Sequence, residues 1–356
     1  MPLKQRTQRK NSNKLLVLLL ITLILLCVGI FMGRKYYAYI FSPNISISES
    51  QNGFLHIPTG TDYKGLIKLL EQGDFLIKTD GFEWVAKQKK YGSNIKAGKY
   101  RLRNNMSNND LVNLLRSGNQ TAVKLTFNNI RTKEELAGVI SKYIEADSTS
   151  LLYCFQDETI LMDYGFNNPT CLGLFIPNTY EFWWNTSAEG FVKRMHQEYE
   201  KFWTKERKEL AQKAKLTPQE VSALAAIVDE ETIKADEKPM VAGLYINRLN
   251  KKVRLQADPT VKYALGDFSI QRVLKKDLEI DSPYNTYKYG GLPPGPIRIP
   301  SINGLEAVLN HSKHKYMYMC AKEDFSGYHN FALTLKQHNQ NAAKFHKALQ
   351  KRRIYR

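Results

Sequence analysis

Three adjacent acids, Asp229, Glu230 and Glu231, close the apolar run Leu224-Ala225-Ala226-Ile227-Val228 and are followed by Thr232. A carboxyl group set in an apolar wall has a raised pKa and can deliver a proton near neutral pH. Which of the three is set that way is a matter of helical phase. Thr217-Pro218-Gln219-Glu220 has the form of a capping box with proline at the first helical position. Leu216 and Val221 flank it as a hydrophobic staple. Val221, Leu224, Ala225 and Val228 then recur at helical spacing and predict one apolar face. At roughly 100° per residue, Glu230 points away from that face and is expected to be solvated. Asp229 and Glu231 fall on opposite shoulders, and Glu231 shares the stripe of Leu224 and Ile227. Periodicity therefore singles out Glu231 as half-buried, with Asp229 intermediate. The plain alternative is a charged last turn on a core helix. Acids at a helix C-terminus oppose its dipole, which favours a functional reason.

The elements around this helix must belong to a chain of 356 residues, long enough for two or three domains. Lysine and arginine number 52 against 34 acids, a formal charge of +18. That excess suits a polyanion or an anionic membrane surface. It is spread along the chain, and no zinc finger, P-loop or RNP-like motif accompanies it, so no nucleic-acid partner is expected. The four cysteines, Cys27, Cys154, Cys171 and Cys320, lack metal-ligand spacing, and the seven histidines form no HExxH cluster. Neither a metal nor another cofactor is expected. Cys154 and Cys171 remain open as a disulfide pair should the domain be exported. Cys27 reads as a packing or lipid-facing residue rather than a lipoprotein cleavage site, because the large Leu26 precedes it.

Leu15 to Gly33 is an uncharged run of 19 residues bracketed by Lys14 and Arg34. At ~1.5 Å per residue it spans about 28 Å, close to a hydrocarbon core. Lys4, Arg6, Arg9, Lys10 and Lys14 precede it without an acid, which predicts a cytoplasmic N-terminus. Phe31, Met32 and Arg34 stand where a cleaved leader would have small residues, so an uncleaved single-pass anchor is expected. The remainder would face the periplasm or cell exterior. The expected organisation is a cytoplasmic tail (1–14), transmembrane helix (15–33), linker (34–50), small α/β module (51–125), helical connecting region (126–205) and catalytic domain (206–350). The fold class is α+β.

Within the small module, Phe54–Pro58 and Lys96–Leu102 read as strands. Tyr63–Gln72 and Asp110–Arg116 read as helices stopped by Gly73 and Gly118. The two strand–helix–glycine units suggest a weak internal repeat. The aromatic segment Leu174–Trp184 fits core packing better than sugar stacking. Further on, Asp258-Pro259 has the form of a helix cap. The stretch from Ser282 to Pro296 is a long irregular loop rich in glycine and proline. Ser301 caps a short helix, and Lys315–Cys320 and Tyr328–Thr334 read as strands.

Ala225–Thr232, Val241–Leu249, Arg254–Val261, Tyr284–Tyr287, Gly291–Ile297, His329–Phe331 and His338-Asn339 occur in the order of a known family. Together they resemble the endolytic murein transglycosylases, the MltG or YceG-like family, over most of residues 220–340. Ile57–Gly60 and Lys96–Tyr100 look like that family's LysM-like module. The middle segment matches only around Phe175–Tyr180. The resemblance assigns the catalytic role to Glu231. Asp229 stands where the family usually has Glu.

The resemblance implies cleavage of the β-1,4 bond between N-acetylmuramic acid and N-acetylglucosamine in nascent peptidoglycan strands, beside the peptidoglycan synthases (penicillin-binding proteins). The carboxylic acid would protonate the leaving oxygen. Its carboxylate would then take the proton of the C6 hydroxyl, which attacks to leave a 1,6-anhydro end, so one carboxyl suffices. Hydrolases instead need two carboxyls across the bond. Asp258 and Asp281 are available as a second acid, yet capping and turn roles are simpler for both, which favours transglycosylation. Gln256 and Asn285 are expected to hydrogen-bond acetamido or hydroxyl groups. Tyr284 and Tyr287 are expected to stack on sugars or shape the cleft, and His329 to make a polar contact. The rival readings are a non-catalytic peptidoglycan-binding scaffold that recruits wall synthases and, from charge alone, a tethered nucleic-acid receptor.

Overall fold

The computed structural model describes residues 4–48 and 52–352, with side chains from residue 14 onward. The chain divides into two compact units, residues 1–123 with 183–185, and residues 124–182 with 186–356. Helices and short strands mix in both, as an α+β architecture with one N-terminal apolar helix.

The first unit begins with α1 (Lys4–Phe41), whose Lys14–Phe41 stretch is long and apolar enough to cross a membrane. The stretch expected as a linker, 34–50, differs. The helix runs on to Phe41, and the chain then enters the unit's core through Asn44 and Ile45. Residues 49 and 50 lie outside the described ones. The reason is aromatic: Tyr36 stacks on Trp84, and the Tyr39 hydroxyl donates to Asp80 at 2.7 Å. These contacts hold the last turns of α1 against the unit.

There follow β1 (Phe54–Ile57), α2 (Tyr63–Gln72), α3 (Thr79–Gln88), β2 (Gly98–Arg101) and α4 (Asn108–Ser117). β1 and β2 pair antiparallel, Phe54 opposite Arg101 and Ile57 opposite Gly98. Asp62 caps α2, and Ser107 caps α4 in a capping box with Asp110. Leu55, Ile57, Leu66, Phe82, Tyr100 and Leu111 meet in the core. α3 was not legible, because Thr79-Asp80-Gly81 reads as a turn and its apolar face is short. With α3 present the two halves are unequal, and their strands pair in one sheet.

The second unit begins within β3 (Val123–Thr126), at Lys124, and contains α5 (Lys133–Ile140), α6 (Ser148–Gln156), α7 (Glu158–Met162), β4 (Thr179–Phe182), α8 (Ala188–Phe202) and α9 (Lys205–Lys213). After them come α10 (Pro218–Glu231), α11 (Lys238–Asn250), α12 (Asp258–Leu265), α13 (Ile302–Leu309), β5 (Tyr318–Ala321), β6 (His329–Ala332) and α14 (Leu335–Lys351). β3 pairs with β4 and β5 with β6. The expected boundary at residue 205 falls inside this unit. The aromatic segment is core from Leu174 to Ile176 and at Tyr180 and Phe182, with Phe175 packed on Phe127, Phe155 and Phe191, whereas Trp183 at its end is 53% exposed. Cys154 and Cys171 are both buried free thiols, which burial pushes up to about 11 and about 12 respectively.

α10 is the spine of this unit. Thr217 caps it in a capping box with Glu220, and Pro218 opens it. Its burial differs from the single apolar face expected, since every residue from Val221 to Asp229 is buried. Helices packed around it make it a core helix rather than an amphipathic one. Alanine and serine on its flanks let neighbours approach. On α13 a Cβ at Gly304 would lie 2.5 Å from the Asp229 carboxylate, so only glycine fits there.

Candidate active site

The three acids at the end of α10 have three different surroundings. Asp229 is buried and ion-paired to Lys238 Nζ at 2.6 Å. It also accepts from Ser301 N at 2.6 Å and Ser301 Oγ at 2.8 Å, tying the N-terminus of α13 to α10. Glu230 departs from the solvated position expected of it. It is gripped by Arg131 Nη2 at 3.0 Å and Arg298 Nη1 at 2.6 Å. Arg298 in turn donates to Asn129. A wheel of one helix cannot show these arginines, which come from distant segments.

Glu231 is half-buried, and its carboxylate accepts from the Tyr245 hydroxyl at 2.7 Å. Burial raises its pKa to about 6. The Tyr245 hydrogen bond opposes the rise, the Asp258 charge adds to it, and the charges of His329 and Lys262 oppose it. Tyr245 itself is held well above its ordinary value, first by burial and then by the Glu231 charge. Glu231 opens into a cavity of about 380 Å³ lined also by Tyr245, Arg248, Gln256, Asp258, Tyr287, His329, His338 and strand β5.

Each wall is fixed from behind. Glu237, buried at the start of α11, accepts from Thr232 Oγ1 at 2.9 Å, from the His329 backbone N–H at 2.6 Å and sits 3.0 Å from His329 Nδ1. It therefore joins the end of α10 to the start of β6 and orients the His329 ring. Gln256 adopts a left-handed φ of 52° and accepts from Arg248 Nη2 at 2.6 Å. A non-glycine residue in that region is held by its surroundings. Here Gln256 N donates to Thr286 O at 3.1 Å, and Thr286 Oγ1 meets Thr260 Oγ1 at 2.8 Å. This stitching places Tyr287 so that its hydroxyl donates to Asp258 at 2.5 Å. The glycine–proline loop closes over the unit at Gly295, where a Cβ would meet Pro169 O at 1.9 Å.

Four of the sequence-derived site residues thus come together around one cavity: Glu231, Gln256, Tyr287 and His329. Two do not. Tyr284 packs on Tyr263, with ring centroids 4.7 Å apart. Asn285 is fully buried and donates to Leu278 O and Ile280 O at 2.8 and 2.9 Å, which makes it a builder of the loop rather than a cavity wall. Asp258 corrects a different expectation. The cap of α12 is Ala257, and Asp258 makes no capping bond but lines the cavity with Glu231. Asp281 remains outside, exposed and bonded to Lys288 and Tyr289. Tyr245 and Arg248 were missed. Their i, i+3 spacing on α11 places them on one face and was the available signal. Among the described residues, no group of three histidine, cysteine or acidic side chains gathers to hold a metal.

The model of the YceG-like family matches residues 55–344. The chain belongs to the YceG-like family. This YceG-like chain is 31% identical over 309 residues to a Bacillus subtilis protein named endolytic murein transglycosylase, covering 82% of the chain and 84% of that protein. A Streptococcus pneumoniae protein of the same name is 27% identical over an alignment of 355 residues that covers 91% of the chain but 64% of that longer protein. A 2.6 Å crystal structure of a putative yceG-like protein from Listeria monocytogenes matches at 30% identity with a TM-score of 0.54, over 81% of the chain and 98% of that protein.

Proposed function

We propose that this chain is a membrane-anchored peptidoglycan lytic transglycosylase, acting endolytically on nascent glycan strands. It cleaves the β-1,4 bond between N-acetylmuramic acid and N-acetylglucosamine and leaves a 1,6-anhydro end. The observation that carries the reading is Glu231: a carboxyl raised to about 6, hydrogen-bonded by a tyrosine hydroxyl and opening into a cavity. With a pKa near 6, a useful fraction is protonated at neutral pH and the rest is a competent base. Glu231 protonates the leaving glycosidic oxygen. The resulting carboxylate then accepts the C6 hydroxyl proton as that oxygen closes on the anomeric carbon. Tyr245 steadies the carboxylate form between the two transfers. Gln256, Tyr287 and His329 serve as contacts to the sugar's acetamido and hydroxyl groups.

Asp258 favours a second reading of the chemistry. It places another carboxyl in the cavity, held by Tyr287, so the absence of an opposed acid no longer argues for transglycosylation. As a charge beside the anomeric carbon it stabilises an oxocarbenium-like centre. As a nucleophile or base it would make the enzyme a hydrolase. The transglycosylase reading rests instead on family membership and on the names of the relatives.

In this proposal α1 crosses the cell membrane with its basic end cytoplasmic, and both units face outward. The first unit is a LysM-like glycan-binding module, supported by its paired strands and two intervening helices. The enzyme works beside peptidoglycan synthases. The deciding experiment incubates the detergent-solubilised chain with uncross-linked glycan strands and reads product masses. Anhydro ends that disappear in Glu231→Gln are expected. Reducing ends would make it a hydrolase through Asp258, and no cleavage would leave a binding scaffold.

A further inference from the structure

α1 does more than anchor the chain, because a second cavity lies against its outer end. Its volume is about 570 Å³, and it is lined by Lys35, Tyr39, Ile77, Lys78, Asp80 and Asn108 among others. All belong to the first unit. The uncharged run ends at Gly33. With the helix unbroken to Phe41, Lys35 lies ~3 Å and Tyr39 ~9 Å past the end of the hydrocarbon segment. The headgroup layer outside a ~30 Å core is about 5–8 Å deep on each side. The Lys35 end of the cavity therefore lies within that layer, and its Tyr39 end reaches the layer's outer edge.

Its chemistry fits that depth. Lys35 and Lys78 are exposed, and neither takes part in any described ion pair. The one acid, Asp80, has its oxygens engaged by the Tyr39 hydroxyl at 2.7 Å and by Gly81 N at 2.8 Å. Two cations against one occupied carboxylate leave a positive balance. The Asn108 and Asn44 amides are also engaged, on Tyr39 O and Lys78 O. At the rim Ile77 is 57% exposed, with nothing in the unit to cover it. Lysines beside an uncovered isoleucine, in and at the outer edge of the headgroup layer, match one kind of partner.

We propose that this cavity binds the phosphate headgroup of an anionic phospholipid in the leaflet from which α1 emerges, with Lys35 and Lys78 on the phosphate. The proposal rests on α1 being a membrane span and not on the chemistry at Glu231. Because the last turns of α1 pack on α3 and α4, a bound headgroup fixes the first unit to the membrane surface.

The test uses the full chain in nanodiscs of equal phosphatidylglycerol and phosphatidylcholine, with retained lipids read by native mass spectrometry. The wild type is expected to keep one phosphatidylglycerol in preference to phosphatidylcholine. Lys35→Gln with Lys78→Gln is expected to lower that preference about thirtyfold, the effect of two lysines near an anionic surface. Lys64→Gln with Lys68→Gln, on α2, is expected to leave it unchanged. Equal retention of both lipids by the wild type, or an unchanged preference in the Lys35/Lys78 variant, overturns the site. A chain that stays out of the nanodiscs overturns the site and the anchor together. Cleavage of soluble glycan strands is expected to be the same in all three proteins, so a failure at Glu231 is seen separately.

Discussion

The last turn of α10 has a supporting side and a reacting side, and they treat the same functional group in opposite ways. On the supporting side Asp229 and Glu230 meet cations: Lys238 for one, Arg131 and Arg298 for the other. On the reacting side Glu231 meets a hydroxyl, an aspartate in the same cavity and no cation among the described ion pairs. Three consecutive carboxyls thus divide into two that pair with cations and hold segments together and one that keeps a proton available. What differs is the partner brought by tertiary structure. A carboxylate beside a lysine or arginine stays charged, whereas one in an apolar wall beside a neutral donor does not.

The largest effect expected from this division is on activity. Glu231→Gln keeps the shape of the side chain but can neither give nor take a proton, and should lower kcat roughly 10³-fold. Steady-state cleavage of glycan strands measures it, and a variant within tenfold of wild type would remove Glu231 from the mechanism. On the supporting side the corresponding damage is to stability. Asp229→Ala leaves the Lys238 ammonium buried with only Ser301 Oγ, at 3.5 Å, and removes the carboxylate that holds Ser301 at the start of α13, at a cost of about 3–5 kcal/mol. Urea titration of the detergent-solubilised chain should show the loss, and an unchanged midpoint would mean that Lys238 escapes to solvent.

How much of this could be read from residues alone follows the range of the interactions involved. The capping box at Thr217, the cap at Ser301 and the α2 span with its stop at Gly73 depend on neighbours within a few residues, and all were legible. The stripe of Leu224 and Ile227 pointed to Glu231, which is half-buried, but burial does not set it apart, because Asp229 is more buried than expected and Glu230 is half-buried too. The clamp on Glu230 was not legible, since Arg131 lies 99 positions away and Arg298 lies 68 away. Asp258 shows a local signal overridden. Its Asp-Pro sequence has the form of a cap, but a tyrosine 29 residues later takes the carboxylate instead. Asn285 shows the reverse case: a polar loop residue that looks available for substrate proves to be consumed by the loop's own carbonyls.

A smaller effect sharpens the contrast by making the reactive acid the unstable one. The pKa of Glu231 in the fold, about 6, lies above its ordinary 4.5. Below pH 4.5 the group is protonated in both folded and unfolded chains and imposes no cost. As pH rises through 6 the folded state must hold a charge it disfavours, and stability is lost. A shift of this size corresponds to ~2 kcal/mol. Glu231→Gln should therefore be more stable than wild type by about that amount at pH 8 and equal to it at pH 4, in urea titrations at the two pH values. Asp229→Ala should show no such gain. Tyr245→Phe probes the same carboxyl from its partner. Loss of the hydroxyl removes the foremost influence holding the pKa down, so the alkaline limb of kcat/KM should move to higher pH, with kcat at its optimum lowered roughly fivefold. A limb that stays in place would mean the hydroxyl does not touch the reacting form.

Glu230→Gln should have the smallest effect, and it sets the boundary between the two sides. Glu230 is adjacent to Glu231 in sequence but faces the arginines, with its side chain about one-fifth exposed and that of Arg131 about one-third exposed. Pairs this accessible contribute little, because water screens the charges it would otherwise leave alone. Arg298 is more enclosed, but it keeps Asn129 as a partner. The amide can still accept one of the arginine hydrogen bonds, so the expected loss is about 1 kcal/mol, with kcat within threefold of wild type and an unmoved pH profile. A fall in kcat comparable to that of Glu231→Gln, without a matching loss of stability, would show that the arginine clamp acts on the reacting carboxyl. The supporting side of the helix would then be part of the chemistry.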